Sequence, residues 1–441
     1  MISNTIKENL NTPNPNVGVS KSWQDVFNDL NDNPIFRMSL GSKELFHSNF
    51  LAFLWDLDRD SFISMINDKL LENEALSLDD RSKYELSRET KNFDILISHK
   101  DKDGNRVVYD LVIENKVKSV PYLSQLNDYV EKVHNNNKNE KCSFLLLSLS
   151  QMFPDYDLID KNQGGKWNVI SYSSLKTAIE NSYMGDYGRS NQYIGDYLSF
   201  IDKLSQLQQM IIPEGVDKSV LFVEKDINDF KSLRLQDLYI KLRSSYFIVN
   251  LYNRLKQDLP VSFIHSYDWG AFKKKKDNTH IFLNLGYNQG NGQIAAWIYS
   301  QKESQTRTYE IVIQGKQYRH GIGQKQDKAS NNTAKGKMLN GLWNTLKNVD
   351  SDLKFLSFLN LESVSELSSV VRPIEGKDYY FRFKTEDGKQ IVKSGPFDCY
   401  GDSYVYRYVD ISNIKMGVLL DTMVKDIHSV FNYLNNNEKP L

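Results

Sequence analysis

The sequence predicts an α/β unit in the N-terminal half of the chain and an α+β unit after it. Three observations carry that expectation. Two apolar runs, residues 93–97 and 107–113, flank a Lys102-Asp103-Gly104-Asn105 turn. A helical pattern then leads into a largely apolar run at 142–149, and beyond Pro260 helical periodicity gives way to short aromatic-rich strands. Asp-Gly between apolar runs signals a hairpin, because glycine takes positive φ without steric cost. Hairpin, helix and further strand are the parts of an α/β layer.

Residues 1–20, rich in Asn, Pro and Ser, are expected as a flexible tail. From Ser22 onward Trp23, Val26, Phe27 and Leu30 fall at helical spacing, and after a break at 31–34 a second helix is expected to begin near Ser42. Its apolar positions are Leu45, Phe46, Phe50, Phe53, Leu54 and Leu57. A polar stretch through Asp79, Asp80 and Arg81 leads into the hairpin. Leu123, Leu126, Tyr129 and Val130 then mark a helix over 122–133, followed by a buried strand at 142–149, a strand at 167–170 and a helix from Gln192 to about Met210.

The Pro213-Glu214-Gly215 break ends this unit, giving expected domains at 21–212 and 217–441. The second opens with a helical pattern over roughly 221–259, as one helix or two. Strands are expected at 280–285, 294–299 and 309–313, a helix at 334–346, strands at 379–383 and 404–409, and a last helix at 417–433.

With 441 residues, 40% hydrophobic and 25% charged, the chain has enough apolar surface for two cores and too little excess charge for wholesale disorder. Lys and Arg number 55 against 56 Asp and Glu, so overall charge selects no class of partner and any charge argument must be regional. Two cysteines, Cys142 and Cys399, supply neither a disulfide framework nor a zinc site, and a reducing, cytoplasmic compartment is expected. No segment approaches the ~18 uninterrupted apolar residues of a membrane span.

The hairpin holds the chemistry. Side chains alternate along a strand, so Glu114 and Lys116 share a face and Asn115 points the other way. Counted from a turn centred on Gly104, Asp94 and Glu114 are equidistant, which sets two carboxylates and an ammonium side by side among Ile95, Leu96, Ile97, Val112 and Ile113. Burying such a trio is costly unless something compensates the charge. Mg²⁺ is a natural partner, since it binds hard oxygens through one or two carboxylates together with substrate phosphates. Asp94, Glu114 and the carbonyl of Asn115 fit that requirement, with Lys116 placed to position or deprotonate an attacking water and to stabilise charge on the phosphate. The reaction class is metal-assisted phosphodiester hydrolysis.

These residues resemble the PD-(D/E)XK nuclease superfamily, whose signature is an Asp on one strand and Glu-x-Lys on the next. The matching segments are Asn92-Phe93-Asp94-Ile95-Leu96-Ile97, Ile113-Glu114-Asn115-Lys116 and Gln125-Leu126 with Tyr129. Phe93 stands where the signature has Pro. Ile-Glu-Asn-Lys with Gln-Leu-x-x-Tyr looks like a branch common among bacterial defence-associated proteins, whose members carry an acid on an N-terminal helix, often as Glu-x-x-His. Glu44-Leu45-Phe46-His47 has that form, so Glu44 is the candidate that completes the metal site, ahead of Glu89. The resemblance implies a restriction-endonuclease-like αβββαβ core, Mg²⁺ or Mn²⁺ as cofactor, nuclease activity on nucleic acid with DNA favoured over RNA, and a homodimer in many members. It spans about residues 40–175.

Gln125 and Tyr129, four apart, share a helix face and are candidates to reach the active hairpin or a phosphate. His47 reads as a satisfied, partly buried histidine and not as a metal ligand. Residues 261–346 hold 12 Lys and Arg against 5 Asp and Glu, interleaved with aromatic residues. Lys273, Lys274, Lys275 and Lys276 in that stretch are candidate nucleic-acid contacts. The glycine-rich segment 286–292 lacks the Gly-Lys-Ser/Thr ending of a phosphate-binding loop and is expected as a hairpin loop. The alternative to an enzyme is a nucleic-acid-binding or regulatory module whose nuclease site no longer cleaves.

Overall fold

A computed structural model describes residues 22–436 apart from 40–43, 72–74, 120, 139, 154–155, 184–189, 267–278, 289–290, 301–306, 325–341, 343–378, 385–389, 396–397 and 401–403. The expected tail, the Lys273 to Lys276 run and, Leu342 apart, the expected helix at 334–346 lie outside the described residues.

Helix α1 (Trp23–Asp32) starts on a capping box in which the Ser22 hydroxyl accepts from the Asp25 N–H and the Asp25 carboxylate accepts from the Ser22 N–H at 2.9 Å. It is followed by α2 (Pro34–Met38), α3 (Glu44–Leu57), and α4 (Arg59–Ser64), which continues as a π-helical turn over Met65–Leu71. A five-stranded sheet follows, formed by β1 (Glu85–Thr90), β2 (Phe93–Lys100), β3 (Val107–Lys116), β4 (Ser143–Ser148) and β5 (Asn168–Ser171) in that spatial order. The first three strands form an antiparallel meander, and β4 and β5 add in parallel. Helix α5 (Leu123–Asn137) makes the β3–β4 crossover, and after the short α6 (Tyr156–Ile159) come α7 (Tyr172–Tyr183) and α8 (Ser190–Ile211). This is the expected αβββαβ core.

Both sheet faces are buried. Ile95, Ile97, Leu111, Ile113, Leu145 and Leu147 face the large helical layer, whereas Leu96, Val112, Phe144 and Leu146 face α5 through Leu126, Tyr129 and Val133. Five elements of this half escape the sequence reading: β1 and the helices α2, α4, α6 and α7. Strand β1 is the polar run ELSRET, joined to β2 by a two-residue turn in which Lys91 and Asn92 both take positive φ, 57° and 71°, with no glycine to signal it. The four helices lie in stretches that the periodicity left unassigned.

In the C-terminal half, α9 (Glu224–Ser232) and α10 (Gln236–Asp258) divide the long helical pattern at Leu233, Arg234 and Leu235, where Arg234 has φ 59°. A seven-stranded sheet runs β13-β14-β10-β9-β8-β7-β6, with β6 (Ile264–Ser266), β7 (Thr279–Asn288), β8 (Asn291–Ser300), β9 (Arg307–Gln314), β10 (Gln317–Gln324), β13 (Asp398–Tyr400) and β14 (Tyr404–Asp410). A separate hairpin pairs β11 (Tyr379–Lys384) with β12 (Gln390–Gly395). The glycine-rich segment is mostly strand: β7 and β8 pair up to Asn288 and Asn291. Helix α11 (Met416–Asn436) and the second half of α10 pack on one face of the large sheet, where Ile281, Ile294, Ile298 and Ile311 meet Phe247, Leu251, Leu420 and Met423.

The two cores meet inside α10, not at the Pro213-Glu214-Gly215 break. Leu238, Tyr239, Ile240 and Leu242 belong to the N-terminal core together with Phe230 of α9, whereas Phe247, Ile248, Leu251 and Leu255 belong to the C-terminal one. Buried Arg243 sits between them. Its guanidinium donates to the carbonyls of Leu221 (2.9 Å), Ile211 (3.1 Å) and Val220 and to the Ser219 hydroxyl (3.0 Å), so one side chain ties the end of α8 and the 219–221 segment to α10. The Ile211 carbonyl closes α8, where a cation is favoured by the helix dipole.

Candidate active site

The Ile95↔Ile113 pairing sets Asp94 beside Glu114 at the end of the hairpin remote from its turn. The turn closes with the Gly104 N–H on the Asp101 carbonyl at 2.9 Å, and Gly104 has φ 71°. Near that turn Lys100 faces Val107, a register that carried straight on would set Asp94 opposite Ile113. One extra residue in β3, Asp110, lies between the partners of Ile97 and Ser98 and restores the needed register. The half-buried Asp110 carboxylate is held there by His99 Nδ1 at 2.7 Å.

Asp94, Glu114 and Lys116 project to the α5 face. Lys116 Nζ lies 2.7 Å from Glu114 Oε1, both side chains nearly buried, and Asp94 Oδ2 accepts the Asn115 N–H at 2.7 Å. Asn115 points the other way, and its side-chain amide donates to Ser48 Oγ of α3 at 2.7 Å, locking the β3 end to the helical layer. Gln125 of α5 reaches Glu114 Oε1 at 3.5 Å and donates to the Tyr129 hydroxyl at 2.9 Å. Tyr129, expected as a nucleic-acid contact, is instead buried with its ring 5.1 Å from that of Phe93, so its role is to hold Gln125.

Glu44 also arrives at this end of β3, with a use that its sequence context did not disclose. Its Oε1 accepts the N–H groups of Val117 (3.1 Å), Lys118 (3.2 Å) and Ser119 (3.0 Å) and the Ser119 hydroxyl. One oxygen of the metal candidate is thus committed to fixing the loop that follows Lys116. Exposed Glu89 takes positive φ, 51°, and its charge acts on Asp94 from the neighbouring strand. His47 is fully buried, with Nδ1 3.0 Å from the Tyr197 hydroxyl and its ring stacked on Phe200. Burial, with Lys118 nearby, pushes its pKa down to about 3 and keeps it neutral.

The electrostatics fit a cation. Burial pushes the Asp94 carboxyl up to about 6, with the Asn115 N–H and Lys116 opposing and Glu89 and Glu44 adding. Burial likewise pushes Glu114 up to about 7 against the pull of Lys116, with Asp94 adding. For Lys116, burial works against the charge, but the Glu114 carboxylate outweighs it and the ammonium is held above its ordinary range. It is therefore a proton-bearing charge and not a free base. Glu114 Oε2 is buried with no hydrogen-bond partner among the described residues. An orphaned carboxylate oxygen beside a second carboxylate that also resists ionisation is what a hard cation would satisfy. Among the described residues no three His, Cys, Asp or Glu converge on one point, so the protein's carboxylate share of such a site is the Asp94 and Glu114 pair.

A mixed sheet of this topology, with Asp on the second strand and Glu-x-Lys at the end of the third, defines a nuclease-type core. Residues 34–200 match the family model of the PD-(D/E)XK nuclease superfamily. Members of that superfamily are generally nucleases. No curated protein and no solved structure matches the chain. Among the described residues no helix is long and apolar enough to cross a membrane.

Proposed function

We propose that the chain is a Mg²⁺- or Mn²⁺-dependent nuclease that hydrolyses phosphodiester bonds in nucleic acid, DNA in preference to RNA. The observation that carries this reading is the buried trio of Asp94, Glu114 and Lys116, held in contact at the end of β3 with one Glu114 oxygen unpartnered. Asp94 and Glu114, with the Asn115 carbonyl, are the groups that would hold the ion, and Glu44, at the start of α3, braces the loop that follows them. When bound, such an ion polarises the phosphate and eases proton loss from water. The chain's own contribution is positioning and charge. The Lys116 ammonium meets negative charge building on the phosphate, and Gln125, steadied by Tyr129, orients the Glu114 carboxylate.

The form of the motif, shared with families of bacterial defence proteins, supports restriction of foreign DNA in the cytoplasm as the setting. Free, half-buried Cys142 fits a reducing compartment. Incubation of the protein with supercoiled, linear and single-stranded DNA and with RNA, each with Mn²⁺, Mg²⁺ or chelator, tests the reading. Ion-dependent cleavage that disappears in Asp94→Ala and Glu114→Ala is expected. Binding without cleavage under every ion would instead mark a regulatory nucleic-acid-binding module.

A further inference from the structure

We propose that Lys241 and Tyr287, both outside the superfamily segment, grip an unpaired stretch of the nucleic-acid strand that enters the Asp94, Glu114 and Lys116 site, with a phosphate on the ammonium and a base on the ring. The strand's destination rests on the nuclease reading; the grip itself rests on how the second half of the chain meets the loop after Lys116.

That loop is held from the C-terminal side at two points. Lys118 Nζ pairs with Asp237 of α10 at 3.1 Å and donates to the Arg234 carbonyl at 3.2 Å. The Tyr122 hydroxyl donates to the Leu285 carbonyl of β7 at 2.6 Å. Helix α10 and strand β7 therefore wall one side of the catalytic strand's exit. Beside that loop lies a small cleft lined by Val117, Lys118 and Ser119, by Met152 and Phe153, and by Lys241 and Ser245 of α10.

Lys241 carries the uncommitted charge of this cleft. The nearby acid, Asp237, is taken by Lys118, and Lys241 makes no ion pair among the described residues. Its ammonium stands 5.4 Å from the centre of the Tyr287 ring, and Tyr287, two residues beyond the Leu285 anchor, is 37% exposed, one of few large hydrophobic side chains so exposed among the described residues. A free ammonium beside an exposed aromatic face is the pairing that single-strand binders use, charge for the backbone and a ring for the base. A base stacked inside a duplex offers no such face, so the partner is unpaired.

The test uses the full chain carrying Asp94→Asn, which blocks cutting, and labelled single-stranded DNA, single-stranded RNA and duplex DNA, with fluorescence anisotropy over a salt series. The expected results are tighter binding of a single strand than of duplex, and about tenfold weaker binding in Tyr287→Ala with retention in Tyr287→Phe. In Lys241→Gln the slope of log affinity against log salt should shrink by about 0.7, the share of one phosphate contact on a single strand. Unchanged affinity and slope in Tyr287→Ala and Lys241→Gln, with far-ultraviolet circular dichroism like that of the parent, would overturn the proposal, as would preference for duplex. Equal losses in Tyr287→Ala and Tyr287→Phe would overturn stacking. Because the readout is binding by a cleavage-blocked chain, a wild-type protein that never cuts would sink the nuclease reading and leave the grip standing.

Discussion

Asp94 and Glu114 are asked to be ionised where burial disfavours charge, and the cost has a sign. Their folded pKa values, about 6 and about 7, stand above the ordinary carboxyl values of 3.8 and 4.5. The folded chain thus binds more protons than the unfolded chain between about pH 4 and pH 7, and the stability present below that window is lost as pH rises through it. With chelator present, the melting temperature should fall by a few degrees between pH 5 and pH 8, and an Asp94→Asn, Glu114→Gln double variant should show a flatter profile; parallel profiles would contradict this. The same protons must leave before a cation enters, so Mg²⁺ affinity should rise at least severalfold from pH 6 to pH 8 with proton release in calorimetry. Pairing with Glu114 has a second consequence for Lys116: a lysine held protonated serves as charge, so Lys116→Arg should retain measurably more activity than Lys116→Ala.

At the scale of elements, the β2–β3 hairpin was legible because alternation and an Asp-Gly turn are local signals. The count that placed Asp94 opposite Glu114 succeeded through compensation, since the turn-side register differs by one residue and Asp110 makes it good. No local signal reveals such a bulge. Strand β1 escaped because its burial pattern is polar and its turn uses Lys91 and Asn92 in place of glycine. The Glu44 contacts to Val117, Lys118 and Ser119 join residues more than seventy positions apart, beyond the reach of spacing rules. Those contacts predict that Glu44→Ala speeds hydrogen exchange at the three amides even without a cation; unchanged protection would show that the carboxylate does not hold the loop. For α10, Arg243→Met leaves three carbonyls without their donor, so a loss on the order of 3 kcal/mol in urea unfolding is expected, and Arg243→Lys should not rescue it because an ammonium lacks the planar fork.

The molecule as a whole is bound together by α10, whose first half completes the N-terminal core and whose second half completes the C-terminal one. Composition located the break at Pro213, but a chain break and a core boundary are different things: Phe230, Leu235 and Leu238 cross it to pack against Trp23, Phe27 and their neighbours. A fragment ending at Ile212 should therefore fail to unfold cooperatively, whereas one extending through Asp258 should recover a transition. Close packing at the junction also fixes Gly292, where a Cβ would lie 2.5 Å from Ile240 Cγ2 and 2.9 Å from Ser244 Oγ, so the glycine is needed for β8 to approach α10. The account depends most on the trio at the end of β3, and the measurement that addresses it most directly is the single-turnover cleavage rate of Lys116→Ala against wild type at saturating Mn²⁺, with Mn²⁺ uptake followed in the same samples. A loss of at least about 100-fold with ion uptake retained is predicted; cleavage at the wild-type rate would contradict it.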